Sequence, residues 1–332
     1  MELAITILGG LAVLTLGAEL LVRGAVRLAE SAGVSPLLIG LTIVGFGTST
    51  PELVTSVQGA LSGSPGIAVG NIVGSNIINM LVILGIAAMI APLAVPAGAI
   101  RRDGALVIVT AAALTLVGLV WTLDRPTGAL FLATLAAYLV YAAREERRPD
   151  GHTLAYEKGA ALAAADPGLQ PGAAAPGAGA VQWLAPLGLA LLGLVLLVTG
   201  GRFFVGGAIE LARLLGIGEA VIGLTVVAAG TSMPELATSV LAAVRRQADV
   251  AVGSILGSNI YNVLGIGGVT ALISPTAVPA EIASFDALVM LAASAVLLAM
   301  LYTGRKLDRL EGALLFAGYV VYVWFIWPAA GG

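Results

Sequence analysis

A glutamate and a proline stand together inside a run otherwise apolar enough to cross a bilayer, in Gly47-Thr48-Ser49-Thr50-Pro51-Glu52, and the arrangement returns as Gly230-Thr231-Ser232-Met233-Pro234-Glu235. The offset that carries Glu52 onto Glu235 also aligns the flanking sequence without a gap. From Ile39 to Val57, 14 of 19 positions are identical to Ile222 to Val240, and from Ala68 to Asn79, 9 of 12 are identical to Ala251 to Asn262. Similarity this extended is an internal duplication. Whatever the first half folds into, the second half must fold into as well.

Of the 332 residues, 59% are apolar and 11% charged, whereas roughly a quarter of the residues of soluble domains carry charge. Runs long enough to span, about 20 residues each, recur at 3–28, 36–61, 66–91, 104–122, 127–143, 183–212, 219–244, 250–273, 283–302 and 310–327. The expected fold is an all-α polytopic membrane protein of ten transmembrane helices in two five-helix repeats, 1–143 and 183–332, joined by a linker at 144–182. The Ala/Gly/Pro-rich stretch 173–179 of that linker offers no periodic apolar face, and a flexible tether is expected there. No cysteine is present, which excludes disulfides and thiolate metal sites. The single histidine, His152, falls in the linker and reads as a solvated loop residue, so no resident metal or other cofactor is expected.

The chain begins Met1-Glu2-Leu3 with no basic residue ahead of the apolar run, the wrong flank for a cleaved signal peptide, so this run counts as helix 1. With the termini outside and the linker cytoplasmic, 13 of the 16 Lys and Arg lie on the cytoplasmic side, against Arg125, Arg202 and Arg213 outside. An odd number of spans per half then inserts the second half upside down relative to the first. Inverted-topology repeats are a transporter architecture.

The residue types of the motif each have a physical reason. Pro51 lacks an N–H and crowds the preceding turn, so the Gly47 carbonyl loses its helical partner and can turn into a cavity. Thr48 and Ser49 add hydroxyl oxygens, and Gly45 and Gly47 allow close backbone approach. Glu52 sits just past the break; an ionised carboxylate at mid-membrane costs roughly 2.5 to 3.5 kcal/mol, and neither this helix nor its mate carries a lysine or arginine at comparable depth. Glu235 repeats the same costly feature. Thr55, Ser56, Thr238 and Ser239 extend a polar stripe on the glutamate face, as helix-packing hydroxyls or as a lining of an ion path. In helices 3 and 8, Ser75 with Asn79 and Ser258 with Asn262 are four apart on one face, so each helix presents a hydroxyl and an amide oxygen to one point. Gly70 with Gly74, and Gly253 with Gly257, permit close packing. In helix 1 and its mate, Glu19 and Arg27 align with Arg202 and Glu210; the sign is swapped, which favours a structural ion pair or snorkelling to the interface over an ion site. Helices 4, 5, 9 and 10 read as scaffold, with Asp103 and Asp286 placed at the starts of helices 4 and 9 and Trp121, Trp324, Trp327, Tyr319 and Tyr322 near helix ends as an aromatic belt.

Carboxylates, hydroxyls, amide oxygens and freed carbonyls, with no sulfur and no imidazole, suit a hard cation. Ca2+, with six to eight flexible oxygen ligands, fits better than Mg2+. Two carboxylates neutralise one Ca2+ and can instead hold Na+ or protons, and mutually exclusive occupancy is what antiport requires.

Two copies of Gly-Thr-Ser-x-Pro-Glu, each followed at one and the same spacing by Gly-Ser-Asn-x-x-Asn, Gly74 to Asn79 and Gly257 to Asn262, resemble the alpha repeats of the cation/calcium exchanger superfamily, above all its prokaryotic sodium/calcium exchangers. The resemblance covers both halves, with its motifs at 39–86 and 222–269, and leaves out the linker. It implies a ten-helix inverted repeat with ion sites clustered at mid-membrane. It further implies Glu52 and Glu235 as central carboxylates, hydroxyl and carbonyl ligands at Thr48, Ser49, Thr231 and Ser232, and helix 3 and 8 ligands at Ser75, Asn79, Ser258 and Asn262. Gly45 and Ala228 fall where the family uses backbone carbonyls. Potassium-dependent members carry an aspartate where Asn262 stands, and proton-coupled vacuolar-type members typically show Gly-Asn before the glutamate, so this chain resembles the sodium-coupled branch.

The reading is a non-enzymatic, secondary active antiporter in a prokaryotic inner membrane, exchanging Ca2+ for Na+ by alternating access. Its expected partners are the transported Ca2+ and Na+, with H+ in the proton-coupled alternative, and the lipid bilayer; no nucleic acid is expected, and by the repeat argument one copy is functionally sufficient. A Ca2+/H+ antiporter using the same residues and a cation channel are the competing readings.

Overall fold

The computed structural model describes residues 2–32, 34, 43, 45–94, 97–145, 181–246, 248–304 and 306–327. The expectations placed on the linker at 146–180, on His152 and on 36–42 of the second apolar run lie outside the described residues, as do the side chains of Arg101, Arg102 and Asp103.

In chain order the helices are α1 (Glu2–Ser31), α2 (Gly45–Gly47), α3 (Thr50–Leu61), α4 (Pro65–Ile90), α5 (Ala97–Val120), α6 (Arg125–Glu145), α7 (Val181–Leu215), α8 (Glu219–Thr231), α9 (Met233–Val244), α10 (Ala251–Ile273), α11 (Ile282–Tyr302) and α12 (Arg309–Ile326). Among the described residues, seven helices are long and apolar enough to cross a membrane, and α8 with α9, bent by 51° where they meet, makes an eighth if the pair is one span. The only paired strands among the described residues are β1 (Leu93–Ala94) and β2 (Lys306–Leu307), a two-residue antiparallel clip.

The packing repeats between halves. The late part of α4 packs on α12, with a Cβ placed on Gly85 falling 2.9 Å from the Gly312 carbonyl oxygen, and the late part of α10 packs on α6, with a Cβ on Gly128 falling 2.7 Å from the Gly268 carbonyl oxygen. Leu93 pairs with Leu307 in the β1–β2 clip, and Leu123 pairs with Thr276 in an isolated antiparallel bridge. Thr276 is the repeat counterpart of Leu93, at the offset that relates the two glutamates.

Buried apolar side chains form two large clusters and a small third one, Val22 with Val26 on α1. The larger joins α4, α5, α6, α10, α11 and α12 with α8 and α9 through residues such as Leu224 and Ala243, and Ile72, Ile77, Met80, Ile255, Ile260 and Ile266 in it are all fully buried. The second joins α1 and α7 to α8 through Leu14, Leu197, Phe204, Ala208, Ile222 and Val227. Helices α1 and α7 pack chiefly on each other along glycines spaced by seven: Gly10, Gly17 and Gly24 on α1, and Gly193, Gly200 and Gly207 on α7. A Cβ on Gly10 would lie 2.7 Å from Phe204 N, and one on Gly24 would lie 2.6 Å from Ala190 N. The helix backbones are therefore in direct contact, the arrangement small residues permit where lipid offers no hydrophobic drive to associate. Glu19 and Arg23 form an i, i+4 ion pair at 2.6 Å on the exposed side of α1, in keeping with a structural role.

A methyl group in this seam forces the two helices apart. Gly17→Ala and Gly193→Ala should each lower the thermal unfolding midpoint in detergent by several degrees, the order expected for about 1–3 kcal/mol of overpacking. Gly188→Ala and Gly206→Ala, whose added Cβ meets nothing within 4 Å, should hold or raise it.

Candidate functional site

Both Pro-Glu motifs sit at helix breaks built the same way. Ser49 (φ −85°, ψ 6°) and Ser232 (φ −83°, ψ 9°) leave the helical path, and α3 and α9 restart after them with the proline at the second helical position. Proline is tolerated there because the first N–H groups of a helix have no intrahelical acceptor. Glu52 and Glu235 consequently fall in the first turn of a new helix. The positive end of the helix dipole and the unpaired first-turn N–H groups favour a carboxylate at this position.

Ser-x-x-Glu at a helix start is the capping-box pattern, in which the serine hydroxyl satisfies its own helix. Here neither serine caps its helix. Ser49 Oγ donates instead to Glu235 Oε1 at 3.3 Å, and Ser232 Oγ donates to Glu52 Oε1 at 3.2 Å. Each repeat's serine thus holds the other repeat's glutamate. Ser258 Oγ of α10 reaches the same Glu235 oxygen at 3.5 Å. The exchange brings the two breaks together in the interior, with Glu52 and Glu235 each 1% exposed.

The remaining candidates are also interior. Thr48, Ser75, Asn79, Thr231, Ala228 and Asn262 are all buried, at 4% exposure or less; Gly45 opens α2 and Ala228 lies three residues before Thr231 in α8. Thr48 Oγ1, Ser75 Oγ, Asn79 Oδ1, and both Asn262 amide atoms find no hydrogen-bond partner among the described residues. Buried polar atoms left open in this way are uncommon. Asn79 opens a π-helical segment, Asn79–Ile83, and Asn262 lies in another, Tyr261–Gly267. Such segments recur at functional sites because they displace side chains and carbonyls from the α-helical register.

Close approach of α4 to α8 holds the cluster together. Added Cβ atoms on Gly66 and Gly70 would lie 2.7 Å from Ala220 N and 3.1 Å from the Ala220 carbonyl oxygen, and one on Gly74 would lie 2.5 Å from the Leu224 carbonyl oxygen. The Gly70–Gly74 pair thus serves the close packing expected of it.

Asn71 stands in helix 3 between the glycines of the motif, and the structure gives it a role that its sequence position does not. Its Nδ2 donates to the Glu52 carbonyl oxygen at 3.1 Å and to Ser56 Oγ at 2.9 Å, while its Oδ1 accepts from Thr231 Oγ1 at 3.0 Å. One amide ties α3, α4 and α8 at the site. The counterpart residue is Ser254, 1% exposed, whose side chain is too short to do the same. The corresponding hydroxyls, Thr48 Oγ1 and Ser239 Oγ, are left open, and Thr238 Oγ1 turns back to the Glu235 carbonyl oxygen at 3.0 Å. Of the four stripe hydroxyls, Ser56 and Thr238 therefore serve local structure, while Thr55 and Ser239 have no partner among the described residues.

Two expectations are corrected. Asp286 does not cap a helix start: it ends the π-helical segment Ile282–Asp286, and its Oδ1 accepts from Tyr322 Oη at 2.8 Å. Tyr322 is accordingly 5% exposed and ties α12 to α11 instead of lying in an aromatic belt, which Trp121 and Trp324, 64% and 74% exposed, do fit.

The Asn71 clamp and its missing counterpart give opposite expectations for two reciprocal substitutions. Asn71→Ser removes the amide from three buried groups and should cost about 1–3 kcal/mol, read as a lower unfolding midpoint. Ser254→Asn supplies the absent amide to Thr48 and Ser239 and should raise it.

The family described as sodium/calcium exchanger protein matches residues 2–144 and 185–327. The inner membrane protein YrbG of Escherichia coli is 36% identical over 319 residues, covering 95% of this chain and 93% of its own length. The sodium/calcium exchanger MaX1 of Methanosarcina acetivorans is 32% identical over 347 residues, covering 95% of both chains. Among solved structures, the sodium-calcium exchanger NCX_Mj soaked with Na+ and Sr2+ superposes with a TM-score of 0.59 at 27% identity, over 97% of each chain. With a family match over both halves and relatives alike along nearly their whole length, this chain is a multi-pass membrane protein of the sodium/calcium exchanger family.

Proposed function

We propose that the protein exchanges Ca2+ for Na+ across the membrane, binding both at the cluster of Glu52, Glu235 and their neighbouring oxygens. The observation that carries this is the reciprocal exchange of serines between the two Pro-Glu breaks, which places two buried carboxylates at one point where the two halves meet. Two carboxylates match the charge of one Ca2+, and the surrounding hydroxyl, amide and carbonyl oxygens suit a hard ion with flexible coordination. The same oxygens suit Na+ when Ca2+ is absent. The relatives named as sodium/calcium exchangers support this ion pair, and their being transporters supports a non-enzymatic role.

In this reading Glu52 and Glu235 are the central ligands. Thr48, Ser49, Thr231 and Ser232 contribute hydroxyls and carbonyls, Gly45 and Ala228 contribute carbonyls, and Ser75, Asn79, Ser258 and Asn262 complete the shell from α4 and α10. The chain comprises ten spans in two inverted five-helix repeats, 1–143 and 183–332, with a cytoplasmic linker at 144–182 and both termini outside. The repeated contacts of α4 with α12 and α10 with α6 support the repeat, and the bias of Lys and Arg supports the orientation. Helices α1 and α7, joined along their glycine seam, move as one body against the rest to open the site to either side.

The test is Ca2+ uptake into sealed proteoliposomes loaded with Na+, with a matched pH gradient as control. Uptake is expected to require internal Na+ and to fall more than a hundredfold in Glu52→Gln and in Glu235→Gln, the order of about 3 kcal/mol for removing one partner of a buried charge interaction. Uptake driven by pH alone would make the protein a Ca2+/H+ antiporter, and flux with neither gradient would make it a channel.

A further inference from the structure

The Gly-Ser-Asn-x-x-Asn motif contains two asparagines, and the ion-binding reading uses the second. The first, Asn76 in α4 and Asn259 in α10, is as deeply buried, at 1% and 3% exposure. Asn79 Nδ2 donates to Asn259 Oδ1 at 3.0 Å, across the two halves. Asn79 Oδ1 has no partner among the described residues. An amide is planar, with donor on one arm and acceptor on the other, so tying the nitrogen fixes where the oxygen faces. For a cation ligand this orientation decides everything, because a flipped amide would present N–H groups to a positive charge.

Asn259 supplies Asn79 with one thing, an acceptor oxygen. Its own Nδ2 makes no hydrogen bond among the described residues. It lines a narrow cleft with Asn76, Thr110 of α5 and Ser294 of α11. In the other half the corresponding bond would run from Asn262 Nδ2 to Asn76 Oδ1, each residue the repeat counterpart of one in the first pair. That bond is not made: Asn262 Nδ2, Asn262 Oδ1 and Asn76 Oδ1 all lack partners among the described residues, and Asn76 Nδ2 donates to the Ile72 carbonyl oxygen at 3.0 Å. One ligand amide is set and the other is loose.

We propose that Asn259 is a positioning residue for ion binding: its Oδ1 holds the Asn79 amide with Oδ1 toward the transported cation, and Asn76 offers the same acceptor to Asn262. The proposal rests on the reading of Asn79 and Asn262 as ion ligands. It assigns the paired asparagines of the motif distinct tasks, the second to touch the ion and the first to aim the second from the opposite repeat. It also makes the two halves of the ion site unequal in this conformation, with the first repeat's amide prepared and the second's still to be captured.

The experiment compares Asn259→Leu and Asn259→Asp in Na+-loaded proteoliposomes, measuring initial Ca2+ uptake against external Ca2+. Asn259→Leu removes the acceptor and should raise the apparent KM for Ca2+ by about threefold to tenfold, the range of one net hydrogen bond, with the maximal rate within about twofold of the parent by the same reasoning that ligand aim is a binding effect. Asn259→Asp keeps an oxygen facing Asn79 in either protonation state and loses no bonded donor, so its KM should return to near the parent value. If Asn259→Leu does not fold, Asn259→Ala removes the same acceptor with a smaller side chain. Equal KM shifts in the leucine and aspartate variants would overturn the proposal, as would a fall in maximal rate and unfolding midpoint with KM unchanged, which would leave Asn259 a packing residue. Asn79→Ala separates this from the ligand assignment: an unchanged KM there would remove Asn79 from the ion site and the proposal with it, whatever Asn259→Leu does.

Discussion

The structure turns on two serines that serve the opposite repeat. A helix start of the form Ser-x-x-Glu ordinarily closes on itself, the serine bonding its own first turn. Ser49 and Ser232 instead reach across to Glu235 and Glu52. Each carboxylate draws on the dipole and first-turn N–H groups of its own helix and on a hydroxyl from the opposite repeat. Neither half can complete its glutamate environment alone, so docking of the two repeats and assembly of the site are the same event. A carboxylate in hydrocarbon is costly, and that cost is met only in the assembled protein.

The duplication makes this economical in sequence and also shows where the halves have drifted apart. Asn71 ties three segments, while Ser254 leaves two hydroxyls open; Asn79 is latched to Asn259, while Asn262 is not latched to Asn76. A strictly twofold site would hold its ligands identically from both sides. The open atoms lie in both repeats, among them Thr48 Oγ1, Ser75 Oγ and Asn79 Oδ1 in the first and Ser239 Oγ and both Asn262 amide atoms in the second.

Much of the site was legible in the sequence, because its features are expensive. A proline and a glutamate do not persist twice at one offset in membrane spans without a use, so Glu52 and Glu235, the breaks and the flanking hydroxyls could be read directly. The close approach at Gly70 and Gly74 was legible for the same reason, since glycine in a helix is otherwise unfavourable. The reciprocal partnering was not, because Ser-x-x-Glu carries no mark of whether the serine bonds its own helix or another. The roles of Asn71 and Asn259 were hidden likewise: an asparagine in a membrane helix is equally consistent with touching an ion or aiming a neighbour. What separates the two is which end of the amide is already taken, a property of three-dimensional contacts. Comparing the repeats offered one signal, the Asn71–Ser254 mismatch within an otherwise matched stretch. Asp286 misled because its position near a helix start suggested the dipole, whereas Tyr322, from a helix distant in sequence, supplies its partner.

The packing suits the alternating access proposed for the site. The proposed ligands lie on α2, α3, α4, α8, α9 and α10, and the large apolar cluster packs α4 and α10 with α5, α6, α11 and α12. Helices α1 and α7 bind each other backbone to backbone, whereas their contact with the site helices is through side chains such as Leu14, Phe204 and Val227. Interlocked backbones separate only at high cost, while apolar side chains can exchange one set of apolar neighbours for another with little change in buried area. The easier displacement is therefore of the α1–α7 pair as a unit along the site. In the proposed exchange, a moving body that carries none of the proposed ligands leaves the cation's coordination undisturbed while the path to it changes sides.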